Sequence, residues 1–512
     1  MNRDGIEHRV AKISLVTGLS TLLAIGFQLI SVPICLKYWG KETYGRWLAL
    51  YAAFMLVRSL DTGFVSYVGN KLNYLYHQDQ NALRECLASA ITGIAVISAL
   101  QLLIGVAAIF SNSIVLLLGV SQDPAADYQS SVALLVLIGT WALSGSYLGI
   151  VHRLLIPTGL MYQAAWWSMG CQVSQFTGII LAAMLHFDMF QTSMLFAFVQ
   201  FFIYLASAIY IRRKLPAYFP WWRGGQPRTG IKDLGRSTLL TASNFIQQGS
   251  TSGTVLLVSA LSGPAVVPVF STVRTLANLW TNVTNVLTTP LLPEVVRYHA
   301  TGEGRKLMTI SEAYWVLVGS AVNLGVLITY PLVEPMYGYW TAHAVTLDKS
   351  LLGMLLASVV LANLGGLITL YLNGLNRLGV VLSASLVRGI LSLVVGGFLF
   401  FHFGLAGFGM AIFGGELLAL LVLGHYFVRG ELYRLGVGLS LRSLAPITVS
   451  AVSVILFLVS DGFGFPFSQY LCPVAFLGVA TAAIWGWGGL DHDLRTRLVR
   501  MIGNQFIGKG VT

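Results

Sequence analysis

Arg274 is followed by Asn278, Asn282 and Asn285, at intervals of four, four and three residues. On a helix these positions form one stripe, so a guanidinium and three amides share a face. A guanidinium is a planar fork of donors that fits phosphate or carboxylate, and amides exchange hydrogen bonds with hydroxyls. Asn244, Gln248 and Thr251 repeat the same type of spacing, as do Thr17, Thr21, Gln28 and Ser31 near the N-terminus. Arg58 and Asp61 stand three apart, on one helical face. Arg388 and Glu416 complete the charges set deep in apolar sequence.

Each group has two readings. A polar stripe either glues helices together or lines a wet groove; four polar groups on one face, an Arg among them, favour the groove. Arg58 and Asp61 are either a local ion pair that lowers the cost of both charges or a gate or binding element. Arg388 and Glu416 either pair with each other, or Glu416 is a proton or Na⁺ site, a role Asp61 also fits, with Arg388 left for substrate. Three Arg against two acids predict a cavity that favours an anion such as phosphate.

Covalent chemistry has no comparable signature. HExxH, GxSxG and Walker patterns are absent, so neither a metal, a cofactor nor ATP hydrolysis is expected. Cys35, Cys86, Cys171 and Cys472 form no CxxC and read as packing residues. Asp123, Asp127, Asp188, Asp348 and Asp461 fall singly on separate short loops.

The elements that must hold these residues are membrane spans. Of 512 residues, 56% are hydrophobic and 10% charged, and mean hydropathy is +0.74. About 20 apolar residues cross a bilayer as a helix. Fourteen stretches qualify: 13–36, 47–70, 87–110, 128–151, 164–185, 190–211, 234–261, 266–291, 313–335, 351–372, 379–401, 406–428, 444–460 and 470–488. The gaps after the even-numbered spans, with both termini, hold 23 of the 31 Lys and Arg. Cations flanking spans stay cytoplasmic, which places both termini inside. The net charge of +11 is therefore mostly topology, and nucleic-acid binding is excluded as its explanation. Lys37, Lys41 and Arg46, in the gap after span 1, break the pattern.

The basic, aromatic segment "RRKLPAYFPWWRGGQPRTGIK" divides the chain. Expected domains are a six-helix bundle over 1–212, a cytoplasmic linker over 213–233, a second six-helix bundle over 234–430, a helix pair over 431–489 and a basic cytoplasmic tail over 490–512. The turn after span 1 aligns with that after span 7, Gly40 on Gly263. The turn between spans 4 and 5 aligns with that between spans 10 and 11, Gly159 on Gly379. Nearly equal shifts predict two parallel repeats, the layout of an alternating-access carrier. Leu494, Leu498, Met501 and Phe506, with Arg495, Arg497 and Arg500 between them, predict a short helix on the cytoplasmic membrane surface. The fold class expected is an all-α polytopic membrane protein of about 14 helices, two pseudo-symmetric bundles plus a C-terminal pair.

"VPICLKYWGKETYGRWLALYAAFMLVRSLDTGF" resembles the first helical hairpin of the polysaccharide transporter family, the O-antigen type lipid-linked oligosaccharide flippases. "GPAVVPVFSTVRTLANLW" followed by "LTTPLLPEV" resembles spans 7 and 8 of the wider superfamily, which includes multidrug and toxin extruders and lipid II flippases. The resemblance implies two six-helix lobes around a cavity and transport of a polyprenyl-pyrophosphate-linked glycan across a bacterial inner membrane. It implies that Arg274, in "STVRTLAN", and Arg58 with Asp61, in "LVRSLDTG", belong to a cationic cavity, and that spans 13 and 14 line a lipid groove. One Arg stands where the related span-2 pattern has two, and span 1 lacks the cavity Arg of the lipid II flippases.

The expected function is therefore a flippase for an O-antigen or exopolysaccharide repeat unit, important for lipopolysaccharide or other polysaccharide biosynthesis. Its partners would be the lipid-linked glycan, the bilayer, H⁺ or Na⁺, and polymerase or glycosyltransferase machinery. Expected cavity residues are Arg274, Arg58, Asp61, Asn278, Asn282, Asn285, Gln248, Asn244, Gln28 and Arg388. The alternatives are a multidrug or cation exporter, which needs a net negative cavity, and a membrane glycan polymerase or ligase, which needs catalytic groups on sizeable outer loops.

Overall fold

A computed structural model describes residues 3–76, 78–110, 118, 124–288, 291–375, 377–438 and 441–489. The expected surface helix of the tail, Asp123 and the side chain of Thr17 lie outside the described residues. Among the described residues every regular element is a helix. The continuous element Arg3–Tyr76 is two helices, α1 and α2, joined at Gly40. There follow α3 (Gln80–Phe110), α4 (Pro124–Thr140, continued through a π turn into Ser146–His152), α5 (Met161–Met184) and α6 (Met189–Lys214). Next come α7 (Pro227–Gln248, a π turn, then Thr254–Ser262), α8 (Val267–Thr288) and α9 (Gly304–Trp340). Last are α10 (Lys349–Gly374), α11 (Leu378–Phe403), α12 (Leu405–Leu432), α13 (Leu441–Gly462) and α14 (Ser468–Gly489).

Ten described helical stretches are long and apolar enough to cross a membrane, and the first of them contains both α1 and α2. The chain is thus a multi-pass membrane protein. The helices outside that set, α5, α7 and α8, match it in length, and Gln, Asn and Arg lower their hydropathy. Low hydropathy in a span marks a helix with something other than lipid on part of its surface.

Two compact units share the chain. Unit 1 takes residues 1–275 and 337–347, and unit 2 takes 276–336 and 348–512. Helix α7 and the first part of α8 therefore group with α1–α6, and α13 and α14 group with α9–α12.

In unit 1, α2 is the central helix. Trp47, Leu50 and Phe54 pack with Leu134, Leu137 and Ile138 of α4 and Phe196 of α6. Further along, Phe64, Val68 and Leu72 pack with Leu83, Leu87 and Ile94 of α3. Gly63 brings α7 against α2: a Cβ there would stand 2.3 Å from the backbone of Thr241. The end of α9 and the residues after it return to this unit, where Trp340 donates to the Leu29 carbonyl at 2.7 Å and Tyr337 meets Thr272 at 2.7 Å. At the linker end Lys71 closes on buried Asp233 at 2.6 Å, which fastens α2 to α7.

In unit 2, α10 is buried along most of its length, flanked by α12 and α13. The run "GLAGFGMAIFGGE" lets α12 approach its neighbours: a Cβ on Gly407 would lie 2.5 Å from the Leu399 carbonyl. Tyr314 donates to the Asn363 carbonyl at 2.9 Å, and Asn323 to Ser450 at 3.0 Å, so α9 is tied to α10 and α13. Buried Glu431 accepts from Arg377 Nε at 2.9 Å, which locks the end of α12 to the start of α11.

The turn glycines behave differently from one another. Gly40 (φ 72°, ψ −179°) and Gly263 (φ 79°, ψ 163°) adopt one backbone conformation, open to glycine and strained for other residues. Gly159 has φ 78°, but Gly379 lies in the first turn of α11 without a positive φ. The hydrogen bond of the first turn, Leu160 N–H to Leu155 carbonyl, has its analogue in Arg377 N–H to Leu372 carbonyl. The second turn therefore closes three residues earlier than the Gly159–Gly379 match requires.

Candidate functional site

Asp61 and Arg58 point along one face of α2, as their spacing requires, but they form no ion pair with each other. A third residue stands between them. Trp141 opens the π turn of α4, and its indole Nε1 donates to Asp61 Oδ2 at 2.7 Å. The guanidinium carbon of Arg58 sits 3.9 Å from the centroid of the same ring. One indole thus takes the cation on its face, where the π cloud is negative, and the anion at its edge N–H. Ser146, one turn on along α4, also donates to Asp61, whose exposure is only 1%. π turns are uncommon and concentrate at functional sites, and here the wider turn sets Trp141 and Ser146 on the carboxylate together.

Arg274 is fixed differently. Its Nη1 donates to the Thr251 carbonyl at 2.7 Å, inside the π turn of α7, where the regular i→i−4 ladder is disturbed. Gln248 is used in the same turn, donating to Ser252 Oγ at 2.6 Å. One arm of the Arg274 fork is therefore anchored, and among the described residues no carboxylate opposes it. Asn244 is partly exposed beside this turn. Farther along α8, Asn278 and Asn285 are exposed and Asn282 is partly exposed, so the amide stripe is an open surface of the helix.

A cavity of about 260 Å³ lies within unit 1, walled by α1, α2, α5 and α8. Gln28 and Ser31 of α1 and Thr275 of α8 line it, with Trp47 and Tyr51 of α2 and Gln175 of α5. Tyr51 donates to Gln175 at 3.4 Å; Gln175 donates to buried Gln200 at 3.3 Å; Gln200 donates to Ser174 at 2.8 Å. The chain of amides fixes the orientation of Gln175 at the cavity wall.

In unit 2, Arg388 Nε lies 2.9 Å from Glu416 Oε1 and 3.0 Å from Oε2, so the two are a salt bridge between α11 and α12. A carboxylate held on both oxygens matches the pair reading of these residues. Three of the Asp residues of the loops have structural tasks. Asp188 and Asp348 cap the N-termini of α6 and α10, and Asp461 accepts from Tyr330 and Ser468 at 3.1 Å each.

Three elements escaped the sequence reading: Trp141, the Tyr51–Gln175–Gln200 chain, and α5 as a polar helix. The pair Gln172 and Gln175, three apart in an apolar span, was the one available signal for α5.

No family model and no curated protein matches the sequence. Solved structures do. The lipid II flippase MurJ, in an inward closed conformation, matches with a TM-score of 0.65 at 13% identity, over 91% of this chain and 98% of that one. The fold is that of the MOP-superfamily transporters. An inward-facing MATE multidrug-resistance transporter of that superfamily gives 0.62 at 14% identity, over 83% and 99%. A MOP transporter from Pyrococcus furiosus gives 0.57 at 15%, over 84% and 96%. The all-helical polytopic architecture and the extruder-like layout expected from the sequence are thus found.

Proposed function

We propose that this chain is a flippase that moves a polyprenyl-pyrophosphate-linked oligosaccharide across a bacterial inner membrane, its termini on the cytoplasmic side. One observation carries the reading. Arg58 and Arg274 lie on helices of unit 1 and form no ion pair with a carboxylate among the described residues, while the nearby acid, Asp61, is buried and held by Trp141 and Ser146. Uncompensated guanidinium groups in a span are costly and suit a substrate that brings its own negative charge. Pyrophosphate does so. Arg274 offers the free arm of its fork, Arg58 adds charge, and Gln28 and Gln175 at the unit 1 cavity match sugar hydroxyls.

The tail of such a substrate needs an apolar path. Helices α9 and α14 of unit 2 border a groove of about 690 Å³ whose walls include Leu324, Pro473, Phe476, Leu477 and Ala480. It supports a lipid-linked cargo. In this reading Arg388 and Glu416 brace α11 against α12, and a coupling ion enters only if that bridge opens. The same fold in MATE transporters makes cation or drug export the second reading. The positive balance in unit 1 disfavours it. For the Pyrococcus furiosus transporter a binding pocket of reversed polarity has likewise been taken to suggest a different function.

Complementation tests the proposal. A bacterial strain lacking its own O-antigen flippase should regain surface glycan when this chain is expressed. A membrane-localised chain that restores none, and instead confers resistance to cationic drugs, contradicts the flippase reading.

A further inference from the structure

Lys37, Lys41 and Arg46 are the cations that span topology leaves unexplained, and they flank the turn from α1 to α2. At this end of unit 1 lies a polar cavity of about 360 Å³. Tyr38, Trp39 and Arg46 wall it from the turn, Gln129 from α4, and His186 and Asp188 from the turn between α5 and α6.

The walls are fixed. Gly40, with its positive φ, makes the chain reversal that sets Tyr38 and Trp39 beside Arg46. His186 holds a positive φ of 54° and meets the Tyr38 ring edge-on at 5.7 Å. Asp188 is held by its capping bond from the Gln191 N–H to Oδ1. Trp39 packs against buried Trp47 at 6.2 Å. Its Nε1 is buried without an acceptor among the described residues, an unusual condition for an indole. The partner of Arg46 is Glu42, at 2.7 Å, and the Glu42 side chain is 64% exposed. A pair so open to water exchanges readily with a competing carboxylate.

Two aromatic rings, a side-chain amide, a carboxylate and one displaceable Arg make a saccharide site. A phosphate site would not include Asp188. A sugar presents C–H faces to rings, hydroxyls to Gln129 and Asp188, and, if acidic, a carboxylate to Arg46. The volume is that of a small-ligand pocket. We propose that this cavity is a subsite for an acidic sugar, a uronic-acid type residue whose carboxylate replaces Glu42 on Arg46. The inference rests on the flippase reading for its biological setting: it is where the glycan part of the cargo is held at the end of unit 1 away from the linker.

Saturation-transfer NMR on the full chain in zwitterionic nanodiscs, with methyl glucuronide and methyl glucoside as probes, tests it. Transfer to the glucuronide is expected, falling at least five-fold in Arg46→Gln and in Trp39→Leu. Glu42→Gln, at the exposed partner, frees Arg46 and should raise the glucuronide signal two- to three-fold. The glucoside should respond to Trp39→Leu but not to Arg46→Gln. No transfer to the glucuronide, or none of these changes in folded variants, overturns the site. Because the readout is binding, a chain that binds glucuronide but flips nothing upholds the site and contradicts the flippase reading. A chain that flips glycan but ignores the glucuronide contradicts the site alone.

Discussion

Trp141 couples Arg58 to Asp61, and that coupling can be measured. Trp141→Phe keeps a ring face for the cation and removes the N–H that Asp61 accepts. Trp141→Leu removes both. Hydrogen bonds to charged groups contribute about 1.5–3 kcal/mol, and a desolvated cation–π contact about 2 kcal/mol. The Leu variant should therefore lose more thermal stability than Phe. In the Leu background the interaction energy between Arg58→Ala and Asp61→Asn should fall from about 1 kcal/mol or more to near zero. A cycle that is unchanged without the indole contradicts the relay. For Arg388 and Glu416, removing one partner should cost about 3–5 kcal/mol, while replacing both with Leu should be nearly neutral. Equal damage from single and double variants would show that the pair does more than brace helices. The deep Arg residues were legible because a charge inside an apolar run stands out. Trp141 was not, since a Trp in a span has the same composition whether it packs or bridges ions, and only the fold shows what its ring meets.

Helix contacts depend on positions where no side chain fits. A Cβ on Gly63 would lie 2.3 Å from both N and Cα of Thr241. Backbone cannot rotate away as a side chain can, so Gly63→Ala should destabilise by roughly 1–3 kcal/mol and Gly63→Val by more. The melting temperature of the purified chain checks this, and an unchanged value would mean that α2 and α7 are less closely packed than described here. The approximate limits of the helices could be read from the apolar runs, because a bilayer demands about 20 apolar residues per helix, although α5, α7 and α8 fall short of the hydropathy of the other spans. The π turns in α4 and α7 could not. They widen one turn of the helix without any mark in composition, yet they position Trp141 against Asp61 and the Thr251 carbonyl against Arg274. The Gly159–Gly379 alignment failed for a related reason. With 54 glycines in the chain, a shared Gly fixes a turn only where its φ must be positive, as at Gly40 and Gly263.

At the scale of the whole molecule, the charge pattern predicts orientation: Arg223, in the linker, faces the cytoplasm and Lys41 the opposite side. In a background freed of its four Cys, Arg223→Cys should react with an impermeant thiol reagent only in inside-out vesicles, and Lys41→Cys only in intact cells. The reverse pattern would contradict the cytoplasmic placement of the linker and termini. The polytopic all-helical fold was readable from composition because lipid leaves few alternatives. Above all, Arg274, together with Arg58 of unit 1, is proposed to bind the pyrophosphate of a lipid-linked glycan. The most direct measurement is translocation of a fluorescent polyprenyl-pyrophosphate glycan by the purified chain in proteoliposomes. The native chain should move it, Arg274→Lys should retain part of the rate because charge stays but the fork is lost, and Arg274→Ala should reduce the rate at least tenfold at equal reconstitution. Native-like translocation by Arg274→Ala, or no movement of the glycan by the native chain, would contradict the account.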